Sequence, residues 1–303
     1  MMASLNQSQQ SAATEAVDRS QKVPVSILIP SRNEERNIVE CLKSVLWADE
    51  CVLVDSGSTD RTCTLARDMG ATVVPFSWSP GSPKKKNWAL ENYQFRNDWI
   101  LILDADERIT PELATEIATV ISDSNLSGYY INRRFFFLGK WIRHAGYFPS
   151  WNMRLLRKGQ ARYEFVADYS AVTGDNEVHE HVILNGTAGK LKEPMDHYAF
   201  PDVFTFLEKH NRYSTWEAAC EGATQTFADN SDHDESSQID IKRSLKRVAR
   251  SIPFPHWGRF FYHYFLKLGF LDGVRGYYFC HLLAEYEFQI SAKRYELKIL
   301  KQR

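Results

Sequence analysis

The chain has few cysteines and no pattern among them. Cys41, Cys51, Cys63, Cys220 and Cys280 include no CxxC pair and no group with zinc-ligand spacing. So scattered and odd a set argues against a disulfide scaffold and suits a reducing compartment, where thiols persist as small core residues. Long hydrophobic runs are missing as well. No window approaches the ~20 apolar residues needed to cross a bilayer, so no spanning helix is expected. Charge of one sign is not in excess either: the net charge is −1, which excludes a nucleic-acid binder held by its overall field. No GxGxxG follows the first apolar run, which counts against a dinucleotide-binding turn. Nor is there a glycine-rich triphosphate loop at that point. Residues 1–22 are rich in Ser, Gln and Ala, without a basic start or an apolar stretch behind it. They read as a disordered tail rather than a secretory leader, and the cytoplasm is the expected address.

What is present is an ordinary globular composition, 44% hydrophobic and 25% charged over 303 residues. That length suits one substantial α/β domain with an appended region. Residues 25–30 form an apolar run that reads as a buried strand. Ile38, Cys41, Leu42, Val45 and Leu46 then recur at helical spacing. A second strand over 50–54 ends in Asp55. Ser58 or Thr59 is expected to cap the next helix, which Gly70 closes. A strand over 71–76, a helix over 84–93 and a strand over 99–103 follow, and Thr110-Pro111 opens another helix. Alternation of this kind predicts βαβ units and a mostly parallel sheet covered on both faces. Ligands of such sheets bind beyond the carboxyl ends of the strands. In this chain those ends carry Pro30, Asn33 and Glu34, then Asp55, then Asp104 and Asp106.

Asp104-Ala105-Asp106 places two carboxylates one residue apart, just past a buried strand. Such a pair can hold a hard divalent cation through oxygen ligands, and the cation can stabilise a diphosphate leaving group. Taken alone, the same tripeptide is equally a helix-capping turn; its place at the end of the fourth strand favours the ligand role. Lys84-Lys85-Lys86 precedes a helix near the crevice, and Lys86 is the one placed to reach a diphosphate.

With these segments in view, residues 25–200 resemble a family 2 glycosyltransferase. Ile29-Pro30-Ser31-Arg32-Asn33-Glu34-Glu35, Val52-Leu53-Val54-Asp55-Ser56-Gly57-Ser58-Thr59-Asp60 and Leu103-Asp104-Ala105-Asp106-Glu107 carry the likeness in order and spacing. More narrowly, the chain is similar to the lipopolysaccharide-core β-1,4-glucosyltransferase group. Val178-His179-Glu180, Met195-Asp196-His197-Tyr198, Lys209-His210-Asn211-Arg212-Tyr213 and Gly269-Phe270-Leu271-Asp272-Gly273 carry that closer likeness. The resemblance implies a GT-A fold: a Rossmann-like, mostly parallel sheet flanked by helices, with a helical C-terminal extension. The boundaries would be a tail over 1–22, a GT-A domain over 23–228 and a basic, aromatic extension over 229–303.

It also implies inverting transfer of a hexose, glucose favoured, from a UDP-sugar to a lipid-linked or lipopolysaccharide-type glycan, with Mg²⁺ or Mn²⁺ as cofactor. Pro30, Asn33, Glu34 and Asp55 would line the uridine site. Lys86 stands where the group usually has the Arg of a Gln-Arg-Asn triplet, which keeps the charge but not bidentate phosphate geometry. Asp104 would face the ribose or the metal, Asp106 would bind the metal and His197 would complete its sphere. An inverting enzyme needs a carboxylate to take the acceptor hydroxyl's proton. Glu180 is the candidate, with Glu177 and Asp175 as alternatives.

The C-terminal quarter reads differently. Lys242, Arg243, Lys246, Arg247 and Arg250 precede Phe254, Trp257, Phe260, Phe261, Tyr262, Tyr264 and Phe265. Basic residues interleaved with aromatics suit an anionic membrane surface, here the inner face of the cytoplasmic membrane; equally, the rings could be buried against the catalytic domain. Two readings from other classes stay open: a sugar-nucleotide-binding scaffold without catalysis, and a membrane-anchoring module carried by 239–303.

Overall fold

In a computed structural model, residues 22–79, 83–122, 125–164, 182–227 and 255–300 are described, with side chains of the fourth stretch described through residue 219. Strand β1 (Val23–Ser31) pairs in parallel with β2 (Ala48–Asp55) and with β4 (Trp99–Ile102), and β2 pairs in parallel with β3 (Thr72–Pro75). Helices α1 (Ile38–Ser44), α2 (Thr62–Asp68) and α3 (Lys85–Asn92) lie between successive strands. Alternate residues of each strand feed opposite cores. Ile27, Ile29, Leu53 and Leu101 pack on the side of Ile38 and Leu42, while Leu28, Val52, Val54 and Ile102 pack on the side of Ala89 and Phe95. That two-sided burial is why these strands are written as unbroken apolar runs.

Beyond β4 the sheet becomes mixed and curls. Strand β5 (Glu107–Arg108) follows at once, then α4 (Pro111–Val120), whose Thr110 cap accepts the Leu113 N–H at 3.2 Å. Strand β6 (Gly128–Phe137) carries the short β7 (Lys140–Trp141), and β8 (Trp151–Arg157) inserts antiparallel between β4 and β6. Strands β9 (Ala161–Tyr163) and β10 (Val182–Leu184) form a separate antiparallel ribbon. Edge strand β11 (Ala188–Lys190) pairs with β6, as does β12 (Met195–Phe200), whose other side pairs antiparallel with β5. The order is β3-β2-β1-β4-β8-β6-β12-β5. Because β4 and β5 are neighbours in sequence yet separated by three strands in the sheet, the sheet must curl around residues 103–106.

The C-terminal helices share a core with the curled half. They are α5 (Val203–Phe227), α6 (Pro255–Phe261), a π-helical turn (Tyr262–Leu266), a 3-10 turn (Gly269–Asp272) and α7 (Gly273–Leu300). Phe135 and Phe137 of β6 meet Phe206 of α5, Phe260 of α6 and Phe279 and Leu283 of α7. The buried Asp272 ties the 3-10 turn to the sheet, accepting the Arg143 and His144 N–H groups at 3.2 and 2.9 Å. The helices expected late in the chain are thus present over 255–300. Residues 1–21 of the tail expected over 1–22, the acidic loop over 229–238 and the basic stripe from Lys242 to Arg250 lie outside the described residues. Cys41, Cys51, Cys63 and Cys280 are free thiols.

Gly276 lets α7 cross the 3-10 turn closely: a Cβ there would collide with the Gly269 carbonyl oxygen and lie 2.9 Å from the Asp272 Cβ. Gly276→Ala should destabilise the protein by about 1–3 kcal/mol through overpacking, measured as a lower urea midpoint at unchanged slope. An unchanged midpoint would contradict the close packing of α7.

Candidate functional site

The loops after β1 and β2 are laced together. Asn33 sits in the left-handed region (φ 56°). Its N–H donates to Ser58 Oγ at 2.8 Å, and its side-chain oxygen accepts the Thr59 N–H at 2.8 Å. The Glu34 N–H donates to Thr62 Oγ1 and the Glu35 N–H to Asp60 Oδ2, at 2.8 and 3.1 Å. Pro30 lies opposite Val54, and Ser31 opposite Asp55. The Asp55 carboxylate folds onto its own turn, accepting the Gly57 and Ser58 N–H groups at 3.0 and 2.8 Å and the Ser58 hydroxyl.

Neither Ser58 nor Thr59 caps α2, contrary to the sequence expectation. Ser58 is committed to Asp55 and Asn33. Asp60 supplies the oxygen instead, accepting the Thr62 N–H at 3.0 Å. Lys85, buried beneath the crevice, donates to the Ser31 carbonyl at 3.1 Å and to Ser56 Oγ at 2.7 Å, joining the ends of β1 and β2.

At the end of β4 the two aspartates have different surroundings. Asp104 Oδ2 pairs with Arg154 Nη2 at 2.5 Å, and its Oδ1 lies 3.4 Å from Lys86 Nζ. Burial pushes the Asp104 carboxyl up, but the Arg154 and Lys86 cations outweigh it and hold the group well below the usual carboxylate range. Arg154 also reaches Glu107 Oε1 at 2.7 Å, while Glu107 Oε2 accepts the Asp104 N–H at 2.9 Å. Asp106 has no such close cation. Its oxygens lie 3.5 Å from His197 Nε2 and 3.8 Å from Lys209 Nζ. Burial raises it, yet His197 and then Lys209 bring it down to about 2. Glu34 completes the acidic group: burial first, and the Asp106 charge second, raise its pKa above the ordinary value.

Among the described residues no three His, Cys, Asp or Glu side chains cluster as a metal cage. The Asp106 carboxylate fits a hard divalent cation that draws its remaining ligands from phosphate oxygens and water, and His197 Nε2, 3.5 Å away, adds an imidazole, a ligand less matched to such an ion than oxygen. The donor chemistry of Asp106 and His197 therefore suits a metal shared with a diphosphate.

The fold thus brings Pro30, Asn33, Glu34, Asp55, Lys86, Asp104, Asp106 and His197 to one end of the sheet. Glu180, with Glu177, Asp175 and His179, lies outside the described residues. Sequence reasoning missed Arg154, Glu107, Lys85 and Lys209. Arg154 left one trace, a lone charge between Met153 and Leu155-Leu156 in a strand. Asn87, which the likeness sets beside Lys86, holds Tyr163 in place: its amide donates to the Tyr163 carbonyl at 2.9 Å and accepts the Tyr163 N–H at 2.7 Å.

The acidic crevice thus lies at the carboxyl ends of the parallel strands of a curled sheet, and similarity to known proteins identifies the class as glycosyltransferase. Residues 26–174 match the family described as Glycosyl transferase family 2. An uncharacterized glycosyltransferase of Rickettsia felis (strain ATCC VR-1525 / URRWXCal2) is 30% identical over 64% of this chain and 69% of its own length. The chain belongs to glycosyl transferase family 2. It is also similar to the lipopolysaccharide core biosynthesis glycosyltransferase LpsC of Rhizobium meliloti (strain 1021), 26% identical over 93% of this chain and 96% of that protein. Among solved structures, glucosyl-3-phosphoglycerate synthase from Mycobacterium tuberculosis is 23% identical with a TM-score of 0.30, over 37% of this chain and 44% of that one.

The raised pKa of Glu34 has a sign that can be tested. Protonation favours the folded state, so its contribution is present below the ordinary carboxylate range and is lost as pH rises through the folded value. Glu34→Gln should therefore raise the melting temperature of the ligand-free protein at pH 7, with the gain shrinking as the pH falls through the folded value and gone below 4.5. Equal melting temperatures at pH 7 would remove Glu34 from the repulsive cluster.

Proposed function

We propose that this glycosyltransferase moves a hexose, with glucose favoured, from a UDP-sugar onto a lipid-linked or lipopolysaccharide-type glycan, with inversion at the anomeric carbon. One observation carries the reading: at the end of β4, Asp104 is held by Arg154 and Lys86, while Asp106 stands apart from that close pairing, facing His197 and Lys209 at longer range. The likeness to LpsC along nearly the whole chain supports the glycan acceptor.

In this reading Pro30, Asn33, Glu34 and Asp55 border the uridine, with the laced loops presenting backbone rather than mobile side chains. Asp104 orients the ribose, and Lys86, itself anchored near Asp104 and over the Tyr163 ring at 5.4 Å, offers a positive charge to the diphosphate. Asp106 and His197 would hold a divalent cation, which neutralises charge on the departing diphosphate. Glu180 takes the acceptor hydroxyl proton as that oxygen bonds to the anomeric carbon; the bond from that carbon to the diphosphate breaks and UDP leaves. Residues 23–228 would bear this chemistry, with 229–303 as the extension that flanks it.

Calorimetry of UDP with and without Mn²⁺ tests the donor site. Binding should require Mn²⁺ and weaken by at least about a hundredfold in Asp106→Ala, the scale of a few kcal/mol of lost charge stabilisation. Glu180→Gln should keep UDP binding and lose transfer by roughly 10²–10⁴-fold. A folded protein that binds no UDP with or without Mn²⁺ would contradict the donor assignment, and full turnover by Glu180→Gln would move the base elsewhere.

A further inference from the structure

The C-terminal aromatics divide between two fates. Phe260 and Phe279 are core residues, whereas many of their neighbours face outward. Leu266 and Val274 are 74% and 71% exposed, and Phe265, Leu271 and Tyr278 are about half exposed. The rings of this region adjoin one another, and the exposed aliphatic side chains lie on the same short turns and the start of α7. Tyr264 contacts the Phe265, Phe270 and Tyr277 rings at 5.0, 6.1 and 5.8 Å; Phe261 stacks on Phe265 at 5.6 Å; and Tyr277 meets Tyr278 at 5.6 Å. A contiguous apolar face of this kind marks an interaction site rather than ordinary surface.

Charge identifies what the face meets. Between residues 255 and 278 the cations are Arg259, Lys267 and Arg275, and the only acid is Asp272. Asp272 is buried and spent on the Arg143 and His144 backbone N–H groups and the His144 ring, so it puts no negative charge on the surface. Lys267 and Arg275 are exposed, and they follow directly in sequence the highly exposed Leu266 and Val274. Tyrosine and phenylalanine beside basic residues are the side chains that settle at the boundary between lipid headgroups and acyl chains. No described helix is long and apolar enough to cross a membrane.

We propose that the surface built by the π-helical turn, the 3-10 turn and the start of α7 docks on an anionic phospholipid bilayer. In this arrangement Leu266, Leu271 and Val274 enter the interfacial layer, while Lys267 and Arg275 meet lipid phosphates. The inference is independent of the donor and acceptor assignments. The same π-helical and 3-10 turns pack against the core that holds β6, so docking would fix the catalytic crevice relative to the lipid surface.

Flotation of the full chain with vesicles tests this. The protein should bind phosphatidylglycerol/phosphatidylethanolamine vesicles and not pure phosphatidylcholine, with binding that falls as salt rises. Leu266→Glu with Val274→Glu should reduce the bound fraction at least tenfold at unchanged melting temperature. Lys267→Gln with Arg275→Gln should weaken binding roughly fivefold per cation. Failure of the wild-type chain to float with anionic vesicles, or equal flotation of the variants, would overturn the proposal. So would a concentration-dependent dimer that the Leu266→Glu/Val274→Glu variant abolishes, because the face would then belong to a second copy.

Discussion

Arg154 is the residue on which the site's geometry depends. Its guanidinium is almost wholly buried and lies between the Asp104 and Glu107 carboxylates, on a strand whose neighbours in sequence are apolar. Removing either kind of partner from such a cluster leaves an uncompensated buried charge, at about 3–5 kcal/mol. The cluster is therefore poor as a general stabiliser and strong as a constraint. It fixes β8 against the turn that leaves β4, and Glu107 closes that turn by accepting the Asp104 N–H. The consequence for chemistry is an asymmetry between two carboxylates one residue apart. Asp104 is spoken for by a close guanidinium, and Asp106 is aimed at the far side of the curl.

That far side is built by β12 and α5. The Tyr198 N–H donates to the Asp106 carbonyl at 2.8 Å, and the pairing of His197 with Glu107 sets the imidazole beside the Asp106 carboxylate. Lys209 arrives from α5, one turn beyond Phe206, which is buried among Phe137 and Phe279. Acidic residues from the parallel half thus meet basic residues from the curled half, and the C-terminal helices hold the second group in place through a shared aromatic core. A shift of α7 would be felt at Lys209 through that packing.

The parallel half was legible because burial on both faces leaves one kind of residue in its strands, and because Thr110-Pro111 and Gly70 punctuate helices by their own stereochemistry. The crevice residues at strand ends followed from the same logic. Arg154, Glu107 and Lys209 did not, since the ion pairs Arg154–Asp104, Arg154–Glu107 and Lys209–Asp106 join residues 47 or more positions apart and exist only once β8 and β12 are paired. The role of Ser58 was misread for a related reason. A serine before a helix has the chemistry of a cap, but the loop from β1 competes for it, and Asn33 with Asp55 wins. In the C-terminal region, composition identified rings and charges without saying which rings would be buried.

A crystal structure with UDP and Mn²⁺, with the metal located by its anomalous signal, tests the asymmetry directly. The metal should lie within coordinating distance of the Asp106 carboxylate, with Arg154 still bridging Asp104 and Glu107. A metal held by Asp104, with Arg154 displaced, would contradict the account.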